Sequence, residues 1–152
     1  MVGAHGGSGC STLAALLQPS WDLGSIGHLY EVGEAPVRSD GRPLVVACRN
    51  TVPAAKAATT AVTVLGSHRE WVACLVVVGD GAAEPKDASA RFTLLQARVG
   101  GIVRFPYLRE VRLVDDPALV ELSGSARRAL RDIRGYAAEA VVPRREGSGG
   151  MR

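Results

Sequence analysis

The residues His5-Gly6-Gly7-Ser8-Gly9-Cys10-Ser11-Thr12 carry the densest chemical signal in the chain, and they lead straight into the apolar run Leu13-Ala14-Ala15-Leu16-Leu17. Glycines at 3, 6, 7 and 9 let the backbone take positive φ and approach a ligand more closely than side chains allow. The amide N–H groups of such a curl, joined by the open N–H groups and positive dipole end of a following helix, suit a phosphate. Ser11 stands where a hydroxyl can reach a phosphate-bound Mg²⁺. The residue before it is Cys10 rather than a cation. A cradle without an ammonium can still bind through its amides, but it lacks a main electrostatic contribution to phosphoryl transfer. A thiol at a helix N-terminus tends towards a lowered pKa, and a thiolate there would repel phosphate. Protonated His5 would restore part of the charge, so phosphate binding is expected to strengthen at mildly acid pH.

Residues 5–12 resemble the deviant Walker A loop of the ParA/MinD family of P-loop ATPases, Lys-Gly-Gly-x-Gly-Lys-Ser/Thr-Thr. Gly6, Gly7, Gly9 and the Ser11-Thr12 pair are in register, while His5 and Cys10 occupy the two lysine positions. The resemblance implies ATP with Mg²⁺ as cofactor, held by His5, Gly6, Gly7, Ser8, Gly9, Cys10, Ser11 and Thr12, with Ser11 on the metal. In that family the first lysine reaches across a dimer and the second holds the β- and γ-phosphates, so both replacements bear on hydrolysis and leave enzyme activity open. The similarity continues through the back half of the chain, where Val78-Gly79-Asp80 ends one strand and Phe105-Pro106-Tyr107 follows another. It adds Asp80, Pro106 and Tyr107 to the implied nucleotide site. Small actinobacterial P-loop proteins of unknown function are similar overall. The family's Asp-x-Asp strand and Walker B aspartate have no evident counterpart between Leu17 and Leu44, where only Asp22 and Asp40 could stand in.

Apolar periodicity gives the elements that must position this loop. Only Met1-Val2, with Gly3-Ala4, precede it as a strand, which is either stunted or begins upstream. A helix from Ser11 to about Leu17 stops at Gln18-Pro19, and residues 20–43 read as a long irregular connection. Leu44–Cys48 and Trp71–Val78 are continuous apolar runs, the pattern of strands buried on both faces. Between them Thr51 caps a helix with Pro53 in its first turn, closed by Gly66. Asp87 caps a helix with Phe92, Leu95 and Val99 inward, Ile102–Phe105 forms the last strand, and Ser123 or Ser125 caps a final helix. Strand alternating with helix predicts a three-layer, P-loop NTPase-like α/β domain with a mostly parallel sheet flanked by helices. Residues 1–142 form this single domain and 143–152 a disordered tail. Ligands of such sheets sit at the carboxyl ends of the strands, which would turn Asn50, Asp80 and Tyr107 towards the glycine loop.

Other chemistry fares less well. A Cys-His phosphatase loop needs arginine six residues after the cysteine, where this chain has Leu16. A Gly-x-Ser-x-Gly elbow starting at Gly6 fails at Cys10. Three cysteines without zinc-ligand spacing read as free thiols, Cys48 and Cys74 as small core residues. No stretch reaches the roughly 20 apolar residues of a membrane span and no signal peptide opens the chain, so a cytoplasmic protein without membrane attachment is expected. Arg127, Arg128, Arg131 and Arg134 crowd the final helix, either as a DNA-contacting face or as a solvated one balanced by Asp132 and Glu139. Three functions remain open. The first is a degenerate P-loop protein with weak or no nucleotide binding, acting through a protein partner or as a homodimer, with plasmid or integrative-element maintenance or transfer as the setting the resemblance implies. The second is a slow Mg²⁺-dependent ATPase, with Asp22 or Asp40 as the acid and His5 as the charge. The third is an interaction scaffold with a vestigial loop.

Overall fold

The segment Val72–Val78 is apolar and buried at every position, which requires a neighbour on each strand edge and a helix layer on each face. The structure, a computed structural model describing residues 1–26 and 37–141, supplies both. In chain order its elements are β1 (Val2–Gly3), α1 (Cys10–Leu16), β2 (Leu44–Arg49), α2 (Val52–Ser67), β3 (Val72–Val78), α3 (Lys86–Leu95), β4 (Ile102–Phe105) and α4 (Gly124–Val141). Short 3₁₀ turns lie at Gln96–Arg98, Arg109–Leu113 and Pro117–Leu119. The four strands pair in the order β1-β2-β3-β4, all parallel. This is the expected three-layer α/β fold. The tail expected over 143–152, with Arg144 and Arg145, and the middle of the expected connection, 27–36, lie outside the described residues.

The two faces of the sheet make two cores. Val46, Cys48, Leu75 and Val77 face α2 and α3, packing on Ala55, Ala58, Leu65, Phe92 and Leu95. Val45, Ala47, Val76, Val78 and Phe105 face α1 and α4, packing on Leu13, Ala126, Leu130 and Ile133. Small alanines on α2 let that helix lie close to the sheet, and Phe92, fully buried, contributes roughly 1.5–3 kcal/mol to the layer it fills. Cys48 and Cys74 are core residues, as the sequence suggests.

Some boundaries differ from expectation: α1 begins one residue earlier, at Cys10, and α3 begins at Lys86 behind Pro85, so Asp87 lies inside its first turn rather than capping it. Gly66 lies within α2, which runs to Ser67, and the left-handed residue that ends the helix is Arg69 at φ 61°. Its N–H bonds Gly66 O at 3.0 Å and that of Glu70 bonds Leu65 O at 2.9 Å, satisfying the last carbonyls without a glycine. Residues 23–26 of the supposedly irregular connection run alongside β1. Leu23 N–H donates to Met1 O at 2.9 Å, Gly3 N–H to Gly24 O at 2.8 Å and Ile26 N–H to Gly3 O at 3.0 Å, with Gly3 and Ser25 bridged in parallel. So short a segment, interrupted by Gly24 at φ 76°, carries no strand-like sequence pattern.

That pairing decides where the site lies. From β1 the chain passes through α1 to one edge of the strand, then returns to β2 on the other. The helix after β1 and the helix after β2 pack on opposite faces. The chain reverses its direction of travel at β1, and the carboxyl ends of β1 and β2 flank the crevice that such a reversal leaves open.

Candidate functional site

The glycine loop leaves β1 into this crevice. Gly7 and Gly9 take φ of 72° and 89°, conformations that L side chains rarely adopt, and Gly9 caps α1 by accepting Leu13 N–H at 3.0 Å. A Cβ at Gly9 would lie 3.3 Å from Val78 Cγ1, so the end of β3 forms the floor beneath the loop. Gly3 is required for another reason: a Cβ there would collide with Ser8 Oγ. Ser8 is buried with its Oγ against β1, so its hydroxyl is packed rather than presented to a ligand.

His5 is tied down at both ring nitrogens. Nδ1 bonds Gly6 O at 2.7 Å, and Nε2 accepts the backbone N–H of Arg49 at 3.0 Å. Only the neutral ring, protonated at Nδ1, makes both bonds. The imidazole therefore buttresses the loop against β2, and a cationic His5 would have to give up its bond from Arg49. The side chain of the same Arg49 reaches over the loop: Nε donates to Gly7 O at 2.9 Å and Nη1 to Gly79 O at 3.1 Å. Sequence reasoning misses this residue, because it reads as the end of a strand before a helix cap. Its position at the carboxyl end of β2 is the only signal that could have found it.

Cys10 does not behave as a thiol at a helix N-terminus. It is buried, and Sγ–H donates to Asp22 Oδ1 at 3.3 Å. Burial first, then the hydrogen bond to Asp22 and that carboxylate's charge, push its pKa up to about 12, so it is a neutral donor rather than a thiolate. The expectation of a lowered pKa is thus corrected: α1 is a helix of 7 residues, and its dipole is outweighed by desolvation and a neighbouring anion. Asp22 is held below its ordinary pKa by the Gly24 N–H, 2.9 Å from Oδ1, then by the Ser11 hydroxyl, then by Cys10. Of the two acids the sequence offers, Asp22 is the one beside Ser11. Asp40 lies in the turn before β2 and lines a different cavity, with His68 and Glu70.

Two clefts open on either side of the loop, and both are bounded by Gly9, Thr12 and Arg49. One, of about 300 Å³, lies over Gly7, Ser8, Cys10 and Ser11 and reaches Asp22. The other, of about 230 Å³, runs from Thr12 past Gly79 and Asp80 to Pro106, Tyr107 and Arg112. The loop and the distal residues Asp80, Pro106 and Tyr107 are therefore brought together at one end of the sheet. Asp80 Oδ1 accepts Ala82 N–H at 2.9 Å, shaping the turn after β3. The Tyr107 ring packs on Gly81 and carries the Arg112 guanidinium 5.8 Å from its centroid. Asn50 does not face the loop as expected: its buried side chain turns away to donate to Ala82 O at 3.3 Å, and Oδ1 has no partner.

On α4, Arg127, Arg128, Arg131 and Arg134 are exposed, as are Asp132 and Glu139, and Arg134 donates to Leu16 O at 3.3 Å. Among the described residues no cluster of three or more His, Cys, Asp and Glu forms a metal site, and no helix is long and apolar enough to cross a membrane. No protein-family model, curated protein or solved structure matches the chain.

Proposed function

We propose that this chain is a degenerate P-loop protein of the ParA/MinD type, one that docks the phosphates of a nucleotide weakly, hydrolyses them poorly and works through a protein partner or a second copy of itself. The observation that carries the proposal is the Cys10–Asp22 pair beside the glycine loop. Where an ammonium would neutralise the β- and γ-phosphates, a neutral thiol donates to an ionised carboxylate. Backbone amides remain for binding, but the charge that favours transfer is missing. The two clefts, at about 300 and 230 Å³, lie at or below the lower end of the roughly 300–1,000 Å³ of pockets that enclose a drug-sized ligand, which favours docking of phosphate over enclosure of a whole nucleotide.

A second reading, the slow Mg²⁺-dependent ATPase, is favoured by Asp22 lying beside Ser11. A hydroxyl and a carboxylate are hard oxygen donors of the kind Mg²⁺ takes alongside waters and phosphate oxygens, so Ser11 and Asp22 would hold the ion. Bound there, it would neutralise phosphate charge. We place the protein in a bacterial cytoplasm, in the maintenance or transfer of a plasmid or integrated element, with the exposed arginines of α4 as its DNA-facing surface.

Cys10→Lys separates the two readings. The new ammonium would reach Asp22 and the loop, so the degenerate reading expects tighter Mg²⁺-ATP binding, and phosphate release rising from near the uncatalysed level. If the wild type already releases phosphate steadily and Asp22→Asn stops it, the slow ATPase is the better description. A folded Cys10→Lys variant, checked by circular dichroism, that gains neither affinity nor turnover would refute the idea that the missing cation is the lesion.

A further inference from the structure

We infer that Arg49, from the end of β2, supplies in cis the positive charge that the glycine loop lacks, and that its ligand is a compact phosphate anion such as pyrophosphate or a nucleotide's terminal phosphates. The inference rests on the loop being a phosphate cradle. Arg49 is half-buried and lines both clefts. Its two hydrogen-bonded partners, Gly7 O and Gly79 O, are neutral carbonyls, and among the described residues nothing accepts from Nη2. Among the described residues no carboxylate lies within ion-pair distance of it, their one ion pair being Arg104–Glu84. A partly desolvated guanidinium with no carboxylate among the described residues against it, beside loop amides, has the charge and fork geometry for bidentate phosphate recognition.

The carbonyl bonds strengthen the case. They fix the guanidinium plane across the loop, so little side-chain entropy remains to be lost when an anion arrives. They also join the loop to the end of β3, which places the cation between the two clefts rather than in solvent. Arg112 lines the far wall of the smaller cleft, so an anion there would meet a second guanidinium. Arg49 differs from the loop lysine it would replace in being anchored outside the loop. It can neutralise a bound phosphate, but it does not follow the γ-phosphate as a flexible ammonium would, which fits binding better than turnover.

The test is calorimetric titration with pyrophosphate at low salt on wild type, Gly9→Val, Arg49→Gln and Arg49→Lys, each checked by thermal melting. Losing a charge-assisted pair to phosphate should weaken binding roughly tenfold to a hundredfold in Arg49→Gln. Arg49→Lys should recover part of it, and the dependence on salt should be shallower in Arg49→Gln than in wild type. A folded Arg49→Gln that binds as tightly as wild type, while Gly9→Val does not bind, overturns the role of Arg49 and leaves the cradle standing. Wild type that binds neither pyrophosphate nor Mg²⁺-ATP overturns the cradle, and this inference with it. Should Arg49→Gln fail to fold, the ¹⁵Nε–¹H signal of Arg49 in wild type, assigned by its loss in Arg49→Lys, decides. It shifts on titration if Arg49 holds the anion, and a signal that stays still overturns the assignment.

Discussion

Cys10 offers the sharpest check on the chemistry of the loop, because its environment makes it unreactive where its sequence position suggests the opposite. At pH 8 a thiol with the ordinary pKa of 9.0 is roughly a tenth ionised, whereas one pushed to about 12 is ionised to about one part in ten thousand, a difference of about a thousandfold. The higher pKa returns some of that loss as nucleophilicity, about fifteen- to thirtyfold for a Brønsted slope near 0.4–0.5. The chemistry alone should therefore slow alkylation or disulfide exchange at Cys10 by roughly thirty- to sixtyfold against a small thiol, and burial adds protection. Native protein with a dithiobenzoate reagent at pH 8 should show no fast thiol, and denatured protein should titrate all three cysteines. Asp22→Asn removes the charge and weakens the acceptor, so it should accelerate Cys10 selectively, read by peptide mass mapping, with Cys48 and Cys74 unchanged. A fast-reacting Cys10 in the wild type would refute the neutral-thiol assignment and restore the thiolate that the helix position alone implies.

Other consequences follow from the packing and the titrating groups. A Cβ at Gly100 would collide with the Ala73 carbonyl oxygen on β3, so Gly100→Ala should cost about 3 kcal/mol or more, or roughly 6–12 °C in Tm. The nearest atoms to a Cβ at Gly101 all belong to the partly buried Tyr136 ring, which can swing aside, so Gly101→Ala should cost about 1 kcal/mol, and equal losses in the two variants would contradict the packing. The pKa of Asp22 is depressed on folding, so its contribution to stability is present above its unfolded value near 3.8 and disappears as pH falls through the folded value. Asp22→Asn should flatten the acid limb of a urea-stability profile, and an unchanged limb would argue against those hydrogen bonds. Burial raises the thiol of Cys48 to about 12, so its contribution is complete below pH 9.0 and lost towards 12 at up to about 1.4 kcal/mol per pH unit. Cys48→Ala should make the alkaline decline shallower.

The strands β2 and β3 are legible in the sequence because burial on both faces leaves an unbroken apolar signature, while β4, with Arg104 exposed, is located at Ile102–Phe105 by the Gly100-Gly101 before it and the Pro106 after it. The start of α2 is legible because Thr51 and Pro53 act locally: Thr51 Oγ1 accepts Ala54 N–H at 3.2 Å. What escapes is held by partners far along the chain. Residues 23–26 run beside β1 through backbone bonds that any residue can make, so no side-chain pattern marks them. Within the site, the glycines show themselves by type, and Asp80, Pro106 and Tyr107 by following strands. Arg49 and the burial of Cys10 do not, since one depends on carbonyls 42 and 30 residues away and the other on an acid 12 residues on. Asn50 shows the converse: a polar residue at the right end of the right strand, turned away because Ala82 O lies within its reach.

Calorimetric titration of the reduced chain with ATP, ADP and pyrophosphate, each with and without Mg²⁺, alongside Gly9→Val, asks most directly whether the glycine loop holds phosphate. Weak binding, in the micromolar to millimolar range, of ligands sharing a phosphate end, abolished when valine is forced into the left-handed position over Val78, is the expected result. Equal heats from wild type and Gly9→Val, or none from either, would contradict it.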